Sequence, residues 1–445
     1  MPPALALILC AIFVVVLLTI ESKQKLSTSF ALWVPTLWML ICASRPVATW
    51  FGAGSAQGSF EEGSPLDRLV LTILILLALS ILLKRNVDWS RVLRDNSWLM
   101  VLFLYLGLSL LWSPYPFVSF KRWVKLASAI PLAMVILTEE SPLEAFERIL
   151  RRCAYVLIPF SLILIKYFPH LGRGYSRWSG VLMWNGVTLT KNSLGQLCLM
   201  AVFIIVWTYL TSRRVKIVER NRAVVLADGV VFALAIYLMV ATPGGAYSAT
   251  AVATMVVVFG SLFLLYRSDE QIGRVAKLLV WGMSFMWVAM TSMQSFVTSA
   301  VSILGRDETL TGRTDIWEWV LADAWMKPIF GTGFGAYFAT DNEFTRTFGY
   351  YTAHNGLLDV FVETGLVGII VLVWFLWGFY KETLYHLKGN MKLGIFGVVV
   401  LIIILLSNFT ESIFLKSSSY IWNIMVFVSI IMSSPDADEG HQCCK

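Results

Sequence analysis

The chain contains 445 residues, of which 58% are hydrophobic and only 14% are charged. Soluble globular domains carry about a quarter of charged residues, so this composition excludes a soluble enzyme and predicts a protein embedded in lipid. The formal net charge of +7 comes with no nucleic-acid motif, and the six cysteines lack the spacing of a disulfide framework or a zinc site.

Apolar runs recur along the chain at lengths that suit a bilayer, which a helix crosses in about 20 residues. They fall near residues 4–20, 30–49, 67–83, 97–113, 121–138, 152–168, 193–211, 223–241, 248–266, 277–295, 356–380, 393–407 and 420–434. These runs predict an all-α polytopic membrane protein with about 12–13 transmembrane helices. The count stays open because the run at 30–49 contains Arg45 and Pro46 and the last run is short. No Lys or Arg precedes the first run, which favours a retained span over a signal peptide.

Lys and Arg cluster in short loops that the alternation of the spans places on one side of the membrane. These basic segments are Lys84–Arg94, Arg151–Arg152, Arg213–Arg222, Arg267–Lys277 and Lys381–Lys392. Because basic loops stay in the cytoplasm, a smaller loop near 169–191 and a large loop over 296–355 are predicted to face the outer side. We therefore expect transmembrane helices over 1–295 and 356–434 and a cytoplasmic tail over 435–445. The N-terminus lies outside if every run crosses the membrane, and inside if one run at the start does not.

Several cations fall on the outer side, against this rule. They are Lys121, Arg122, Lys125, Arg173, Arg177, Lys191, Arg306 and Arg313. Each of them can be read as a side chain that reaches lipid headgroups. As a set they favour a basic, outward-facing cavity that binds a phosphate-bearing ligand.

Short motifs in the outer segments resemble those of one protein family. The stretch Leu304–Trp317, with Gly312-Arg313-Thr314-Asp315, is followed by Pro328–Gly335, by His354-Asn355 and by Gly365-Leu366-Val367-Gly368. Lys191–Gly195 is similar to another segment of the same family. In this order, on one side of a polytopic protein, the motifs resemble the O-antigen ligase and O-antigen polymerase superfamily, and its exopolysaccharide-polymerisation branch in particular.

The resemblance implies a glycosyltransferase of the bacterial inner membrane that acts at the periplasmic face. Its donor would be a glycan linked to undecaprenyl diphosphate, and its acceptor a glycan or a lipid. The family is expected to need neither a cofactor nor a metal. The further expected partners are membrane lipids and other polysaccharide-export proteins. No nucleic-acid partner is expected.

His354 is the predicted general base. An imidazole titrates near neutral pH and can take the proton that an acceptor hydroxyl loses during glycan transfer. The alternative is an interfacial histidine that caps a helix.

Arg313 is the predicted ligand of the diphosphate. A helix is predicted over Ile316–Met326, with Thr314 or Asp315 as its N-cap, and Arg313 would lie at its N-terminus. A guanidinium can bind two diphosphate oxygens and stabilise the charge of the leaving group. The alternative is a salt bridge from Arg313 to Asp315 or Glu318.

Three polar residues, Asn355, Asp359 and Glu363, follow at intervals of four and share one helix face. They are predicted to pair with the outer arginines and to orient them, or to form a structural network between helices. Gly365 and Gly368 predict close helix packing, and Gly331-Thr332-Gly333-Phe334-Gly335 predicts a tight turn.

Aromatic residues in both outer loops have two interpretations. Tyr175, Trp178 and Trp184 could stack on sugars or anchor the chain at the membrane surface. Trp317, Trp319 and Trp325 suit the membrane interface, where their helix is predicted to lie.

The resemblance of residues 304–317 to the exopolysaccharide-polymerisation branch implies a polymerase of lipid-linked repeat units. A ligase that transfers the glycan to lipid A core, or an O-oligosaccharyltransferase that transfers it to protein, shares the chemistry and differs in the acceptor. A transporter or flippase of a lipid-linked glycan is the alternative from another class, although no internal repeat supports it.

Overall fold

A computed structural model describes residues 1–23, 28–52, 64–85, 87–176, 180–214, 222–268, 271–292, 311–339 and 342–433. Over these residues the chain is mostly helical, with one short antiparallel hairpin. The predicted all-α polytopic fold class is confirmed. The tail at 435–445 lies outside the described residues.

The helices follow the apolar runs. They are α1 (Pro3–Ser22), α2 (Trp33–Cys42), α3 (Val47–Trp50), α4 (Pro65–Lys84), α5 (Trp89–Asp95), α6 (Ser97–Leu108), α7 (Pro116–Ala127), α8 (Ala129–Leu137), α9 (Pro142–Tyr167), α10 (Pro169–Gly172), α11 (Lys191–Arg214), α12 (Arg222–Val240), α13 (Ala249–Arg267), α14 (Ile272–Ser292), α15 (Thr311–Met326), α16 (Glu343–Phe348), α17 (Gly356–His386), α18 (Met391–Ser407) and α19 (Tyr420–Met432). Short 3-10 helices cover Phe30–Leu32, Ser109–Trp112 and Pro243–Gly245.

Six of the described helices are long and apolar enough to cross a membrane: α1, α4, α11, α12, α13 and α17. A seventh candidate is the pair formed by α5 and Ser97–Trp112, which bend by 86° relative to each other. Shorter apolar helices include α18 and α19. The chain is a membrane protein, and the total of 12 or 13 crossings remains a prediction.

The described chain divides into two compact units. The first comprises Met1–Trp50, Thr72–Asn86 and Pro131–Leu262, and the second comprises Phe51–Leu71, Val87–Ile130 and Phe263–Lys445. In the first unit α9 is central and packs against α1, α2, α11 and α12. In the second unit α17 is central and packs against α6, α15, α18 and α19.

Buried ion pairs join the helices of the first unit. The Nε atoms of Arg148 and Arg152 lie 2.7 Å and 3.1 Å from the two carboxylate oxygens of Glu21 on α1. Arg151 Nε lies 3.4 Å from Asp228 Oδ1 on α12. A buried charge is tolerated only when it is paired, and here the pairs connect three helices. The prediction that Arg151 and Arg152 form a loop is wrong, because both lie inside α9.

Arg45 breaks the apolar run at 30–49 and organises the smaller outer loop. Its Nη2 atom donates hydrogen bonds of 2.7–2.9 Å to the carbonyls of Leu171, Gly186 and Thr188. This loop contains the hairpin of β1 (Arg173–Tyr175) and β2 (Leu182–Trp184), with Arg173 opposite Trp184. The hairpin was not predicted, since its strands have only three residues each.

Candidate active site

His354 lies directly before α17, in a backbone conformation that is unusual for its residue type. Asn355 caps the helix, and its side-chain oxygen accepts hydrogen bonds of 3.2 Å from the amides of Leu357 and Leu358. His354 itself has φ +55°, in the left-handed region that non-glycine residues seldom adopt. Conformations of this kind persist where the surroundings enforce them, and they cluster at functional sites.

Glu411 lies between the two residues that the motifs singled out. Its Oε2 atom is 3.6 Å from His354 Nδ1, and its Oε1 atom is 3.5 Å from an Nη atom of Arg313. The other Nη atom of Arg313 donates a 2.8 Å hydrogen bond to the carbonyl of Thr410. All three side chains are partly exposed. The structure thus brings together an imidazole, a carboxylate and a guanidinium within one small region.

The segment that carries Glu411, residues 408–419, is anchored to the start of α17. The side-chain oxygen of Asn408 accepts hydrogen bonds of 3.0 Å and 2.9 Å from the amides of Ile413 and Phe414. The backbone carbonyl of Asn408 accepts a 3.0 Å hydrogen bond from the amide of Gly356. Asn408 is fully buried, so these bonds fix the segment next to His354.

Sequence reasoning did not single out Glu411 or Lys416. Both lie in the short segment between the runs at 393–407 and 420–434, where no motif marks them. The available signal was their charge, because a Glu and a Lys stand out in a short loop of a chain with so few charged residues.

Asp359 and Glu363 lie on the first turns of α17, beside a narrow cleft. Lys416 Nζ is 3.1 Å from Asp359 Oδ2, while Asp359 Oδ1 accepts a 2.8 Å hydrogen bond from the amide of Ala353. Glu363, Arg122 and Lys416 line the same cleft. Asp359 therefore pairs with Lys416 and not with one of the outer arginines predicted for it.

Arg122 is buried and holds a glycine-rich loop. Its guanidinium donates hydrogen bonds of 2.8 Å and 3.2 Å to the carbonyls of Gly335 and Phe338. Gly331, Gly333 and Gly335 all have positive φ, which confirms the tight turn predicted for them. These two contacts position the loop, and donor binding by Arg122 remains a prediction.

The same loop bridges a break in α17 at Gly365. This glycine has φ +67° and ψ −168°, which interrupts the helix. The amides of Leu366 and Val367 donate to the carbonyls of Pro328 and Ile329, at 2.8 Å and 3.1 Å. A Cβ atom on Gly365 would collide with the Ile329 carbonyl oxygen. The prediction of helix packing is thus wrong for Gly365, where a loop approaches instead.

Gly368 does fit that prediction. A Cβ atom placed on it would collide with the Thr364 side chain of the same helix and would lie 3.2 Å from the Tyr105 ring on α6. Its small size therefore makes room both for Thr364 and for the neighbouring helix.

The helix α15 starts earlier than predicted, since the described part begins at Thr311. Thr314 and Asp315 therefore lie inside the helix, and the predicted N-cap is wrong. Arg313 contacts Glu411 rather than forming the alternative bridge to Asp315 or Glu318 that sequence spacing suggested. This contact depends on tertiary packing, which local spacing does not reveal.

Trp317 is buried in the core of the second unit, not at an interface. Its indole donates a 2.7 Å hydrogen bond to the carbonyl of Ala353, the residue before His354. Trp319 and Trp325 are more exposed, as expected of interface residues. On the same helix, Asp323 accepts a 2.7 Å hydrogen bond from Tyr337. Burial and this bond raise the pKa of the Tyr337 phenol, which stays a donor at neutral pH.

The remaining predicted cations have separate surroundings. Lys121 lies 5.0 Å from the ring of Phe117, and Lys125 lies one turn further along α7. In the first unit, Arg173 donates a 2.7 Å hydrogen bond to the Ile165 carbonyl, and Lys191 is the first residue of α11. Arg177 and Arg306 lie outside the described residues. Donor binding by these cations remains a prediction.

The aromatic residues of the smaller loop also differ from one another in their surroundings. Tyr175 is exposed, and Trp184 is buried and packs against Tyr237 with ring centres 5.7 Å apart. Trp178 lies outside the described residues. Stacking on a sugar therefore remains a prediction for Tyr175, while Trp184 has a packing role.

No group of three or more His, Cys, Asp or Glu side chains that could hold a metal ion occurs among the described residues.

The chain is similar to known proteins of polysaccharide biosynthesis. Residues 178–373 match the model of the O-antigen ligase family. The resemblance predicted from the motifs is confirmed. The match includes Arg313 and His354 and ends before Glu411. The chain is also 22% identical to the exopolysaccharide production protein ExoQ of Rhizobium meliloti (strain 1021), over 72% of this chain and 74% of that protein.

Proposed function

We propose that this protein is a membrane-embedded glycosyltransferase that polymerises undecaprenyl-diphosphate-linked oligosaccharides in exopolysaccharide biosynthesis. It would act at the periplasmic face of the bacterial inner membrane, with no metal or cofactor. The similarity to an exopolysaccharide production protein favours polymerisation over ligation to lipid A core or protein. The observation that carries the proposal is the contact of one carboxylate, Glu411, with both His354 and Arg313.

In the proposed reaction, an acceptor hydroxyl oxygen attacks the anomeric carbon of the donor glycan. The bond between this carbon and the diphosphate oxygen breaks, and its electron pair leaves with the diphosphate. The proton of the hydroxyl passes to His354. Since Nδ1 of His354 faces Glu411, Nε2 is the nitrogen that takes this proton. The carboxylate then stabilises the imidazolium that forms.

Arg313 would bind the leaving diphosphate in this proposal. A guanidinium has five N–H donors, more than its contacts with Thr410 and Glu411 use. Its charge is most valuable when the diphosphate gains negative charge, so the interaction lowers the barrier more than it strengthens binding of the donor.

Turnover by the purified protein in detergent tests the proposed class. Supplied with undecaprenyl-diphosphate-linked repeat units, the enzyme should release longer lipid-linked chains without any membrane gradient. A transporter or flippase would leave the chain length unchanged under these conditions. Products are separated by gel electrophoresis, which shows chain length directly.

The His354→Asn variant tests the general base. Asparagine adopts the left-handed conformation more readily than most residues, so this change removes the base without adding backbone strain. General-base catalysis contributes about 10²–10⁴-fold, and the turnover rate should fall by that order. His170→Asn, at an exposed histidine in the smaller loop, is the matched control and should stay active. Full activity of folded His354→Asn would contradict the assignment and favour Asp359 or Glu363 as the base.

A further inference from the structure

The peptide bond between Ala353 and His354 is held on both sides. Its carbonyl oxygen accepts a 2.7 Å hydrogen bond from the indole of Trp317, and its N–H donates to Thr352 Oγ1 at 3.4 Å. Ala353 is fully buried and Trp317 is 6% exposed, so water does not compete for the carbonyl. The plane of this peptide is therefore fixed by a side chain of α15 on one side and by the neighbouring threonine on the other.

A fixed peptide plane determines the backbone conformation of His354. The torsion φ turns about the N–Cα bond of His354, and this peptide is one of the two groups that define it. On the other side, the cap that Asn355 makes on α17 fixes the backbone that follows. With both sides held, His354 keeps φ +55°, although helical or extended backbone costs a residue with a side chain less.

The left-handed conformation in turn directs the imidazole. Its Nδ1 atom lies 3.6 Å from Glu411 Oε2, and its ring packs edge-on against Tyr350 with ring centres 5.5 Å apart. A change of φ to the common value near −60° would turn Cβ by about 120° around the N–Cα bond. The imidazole would then lose the place that these two contacts give it.

Trp317 reaches this peptide from a helix that also carries a residue of the proposed reaction. It follows Arg313 by four residues on α15, so the two side chains share one face of the helix. Arg313 contacts Thr410 and Glu411, and Trp317 contacts the backbone before His354. One helix face thus connects the arginine proposed to bind the diphosphate with the segment that holds the proposed base.

We propose that Trp317 is a positioning residue for His354. The hydrogen bond from its indole imposes the left-handed conformation that directs the imidazole toward the acceptor hydroxyl, and Thr352 supports the same peptide from its other side. This assignment rests on the proposed function, in which His354 is the general base. It gives Trp317 a contribution to turnover and not to binding of the donor.

Kinetics of chain extension in detergent, with undecaprenyl-diphosphate-linked repeat units, test the effect on turnover. Trp317→Phe removes the indole N–H and keeps an aromatic ring in the core. The value of kcat should fall about tenfold to a hundredfold, because a displacement of about 1 Å can cost that much, while KM for the donor changes little. Adding Trp317→Phe to His354→Asn should cause no further loss. Trp319→Phe, on the same helix but 37% exposed, is the matched control and should stay active.

A second measurement reports on the conformation of His354 without using activity. At a left-handed position glycine is favoured over alanine, whereas at an ordinary position alanine is favoured because it restricts the unfolded chain more. In thermal unfolding in detergent, His354→Gly should therefore have a higher midpoint than His354→Ala. This difference should shrink or reverse when Trp317→Phe is added, since the conformation is then no longer imposed.

Two further variants complete the unfolding experiment. At His170 on α10, where φ is not positive, the alanine variant should unfold above the glycine variant with or without Trp317→Phe. Thr352→Val removes the acceptor for the N–H of the same peptide, and it should also reduce the difference between glycine and alanine at His354. Because Thr352 is partly exposed, its variant keeps the test valid even if Trp317→Phe does not fold.

Three outcomes would overturn the inference. They are full activity of Trp317→Phe, a loss of activity that is equally large in the His354→Asn background, and an unchanged difference between His354→Gly and His354→Ala in the Trp317→Phe and Thr352→Val backgrounds. Full activity of His354→Asn would contradict the general base of the proposed function. The unfolding midpoints would then still decide whether Trp317 imposes the conformation of His354.

Discussion

Glu411 contacts His354 and Arg313 at distances beyond an ordinary hydrogen bond, 3.6 Å and 3.5 Å. Contacts of this kind at catalytic sites commonly shorten when substrate binds. A carboxylate so placed can orient the imidazole through Nδ1 and stabilise its charged form, while it limits the movement of the arginine. Glu411 is therefore a positioning residue in the proposed reaction.

Arg313→Lys should lose most of the activity even though the charge is kept. The two Nη atoms reach Thr410 and Glu411 separately, which a single ammonium group cannot reproduce while also binding the diphosphate. By analogy with the loss of one oxyanion donor, we expect a fall of about a hundredfold or more in turnover. The assay is chain extension in detergent. Arg346→Lys, at an exposed position on α16, is the control and should stay active. Near-normal activity of Arg313→Lys would contradict the two-contact role and show that only the positive charge of Arg313 matters.

Glu411→Gln should lower kcat more than it changes KM for the donor. The amide keeps the shape of the side chain, but it cannot stabilise an imidazolium. We expect a loss of about tenfold to a hundredfold, smaller than the full contribution of a general base. A rise in KM at constant kcat would contradict positioning, since it would show that Glu411 acts on donor binding alone. The double variant Glu411→Gln His354→Asn should turn over as fast as His354→Asn alone, because both changes disable the same pair of interacting side chains.

At the scale of elements, the sequence predicted some parts of the site and missed others. His354 and Arg313 were found together because both lie in motifs, and the glycines of 331–335 because their turn is local. The contacts of Glu411, Lys416 and Arg122 join segments far apart in sequence. Periodicity and spacing carry no information about such pairs, so these roles required the fold.

The break in α17 predicts a specific effect of Gly365→Ala. The backbone at Gly365 lies in a region that only glycine adopts readily, and an added Cβ would meet the Ile329 carbonyl. We expect the variant to lose about 1–3 kcal/mol of stability and to unfold at a lower temperature in detergent. Gly229→Ala on α12, where a Cβ meets nothing within 4 Å, is the control. Equal midpoints for the two variants would show that the break is not required.

The buried ion pairs of α9 predict that Glu21→Gln destabilises the first unit. This change would leave Arg148 and Arg152 buried without their common carboxylate, and breaking such a pair typically costs about 3–5 kcal/mol. Thermal unfolding in detergent should show the loss. Glu343→Gln, at an exposed position, should unfold like the wild type, and the same behaviour in Glu21→Gln would mean that this cluster adds nothing to stability.

At the scale of the whole molecule, the two ends of α17 should lie on opposite sides of the membrane. The basic segments of the sequence predict a periplasmic position for the region before α17 and a cytoplasmic one for the region after it. This prediction assigns the proposed active site to the periplasm. The helical class followed from the lengths of the apolar runs, whereas the side of each loop rests on charge and needs a direct test.

Cysteine labelling on intact spheroplasts provides this test. In a background without native cysteines, Thr347→Cys on α16 should react with a membrane-impermeant thiol reagent. Lys388→Cys, beyond the end of α17, should react only after lysis. Both positions are exposed, so a difference between them reports on membrane side and not on burial. The reverse pattern would invert the topology and place His354 in the cytoplasm.

The break at Gly365 also sets how deep the proposed chemistry lies in the bilayer. From Leu366 to His386, α17 has 21 residues, which at 1.5 Å per residue measure about 30 Å. This length equals the thickness of the hydrocarbon layer, so the part of α17 beyond the break is long enough to cross that layer by itself. The nine residues before the break would then form a separate segment above the acyl chains. Asp359 and Glu363 belong to this segment, where they are buried beside Lys416, at the level where a lipid carrier would present its diphosphate.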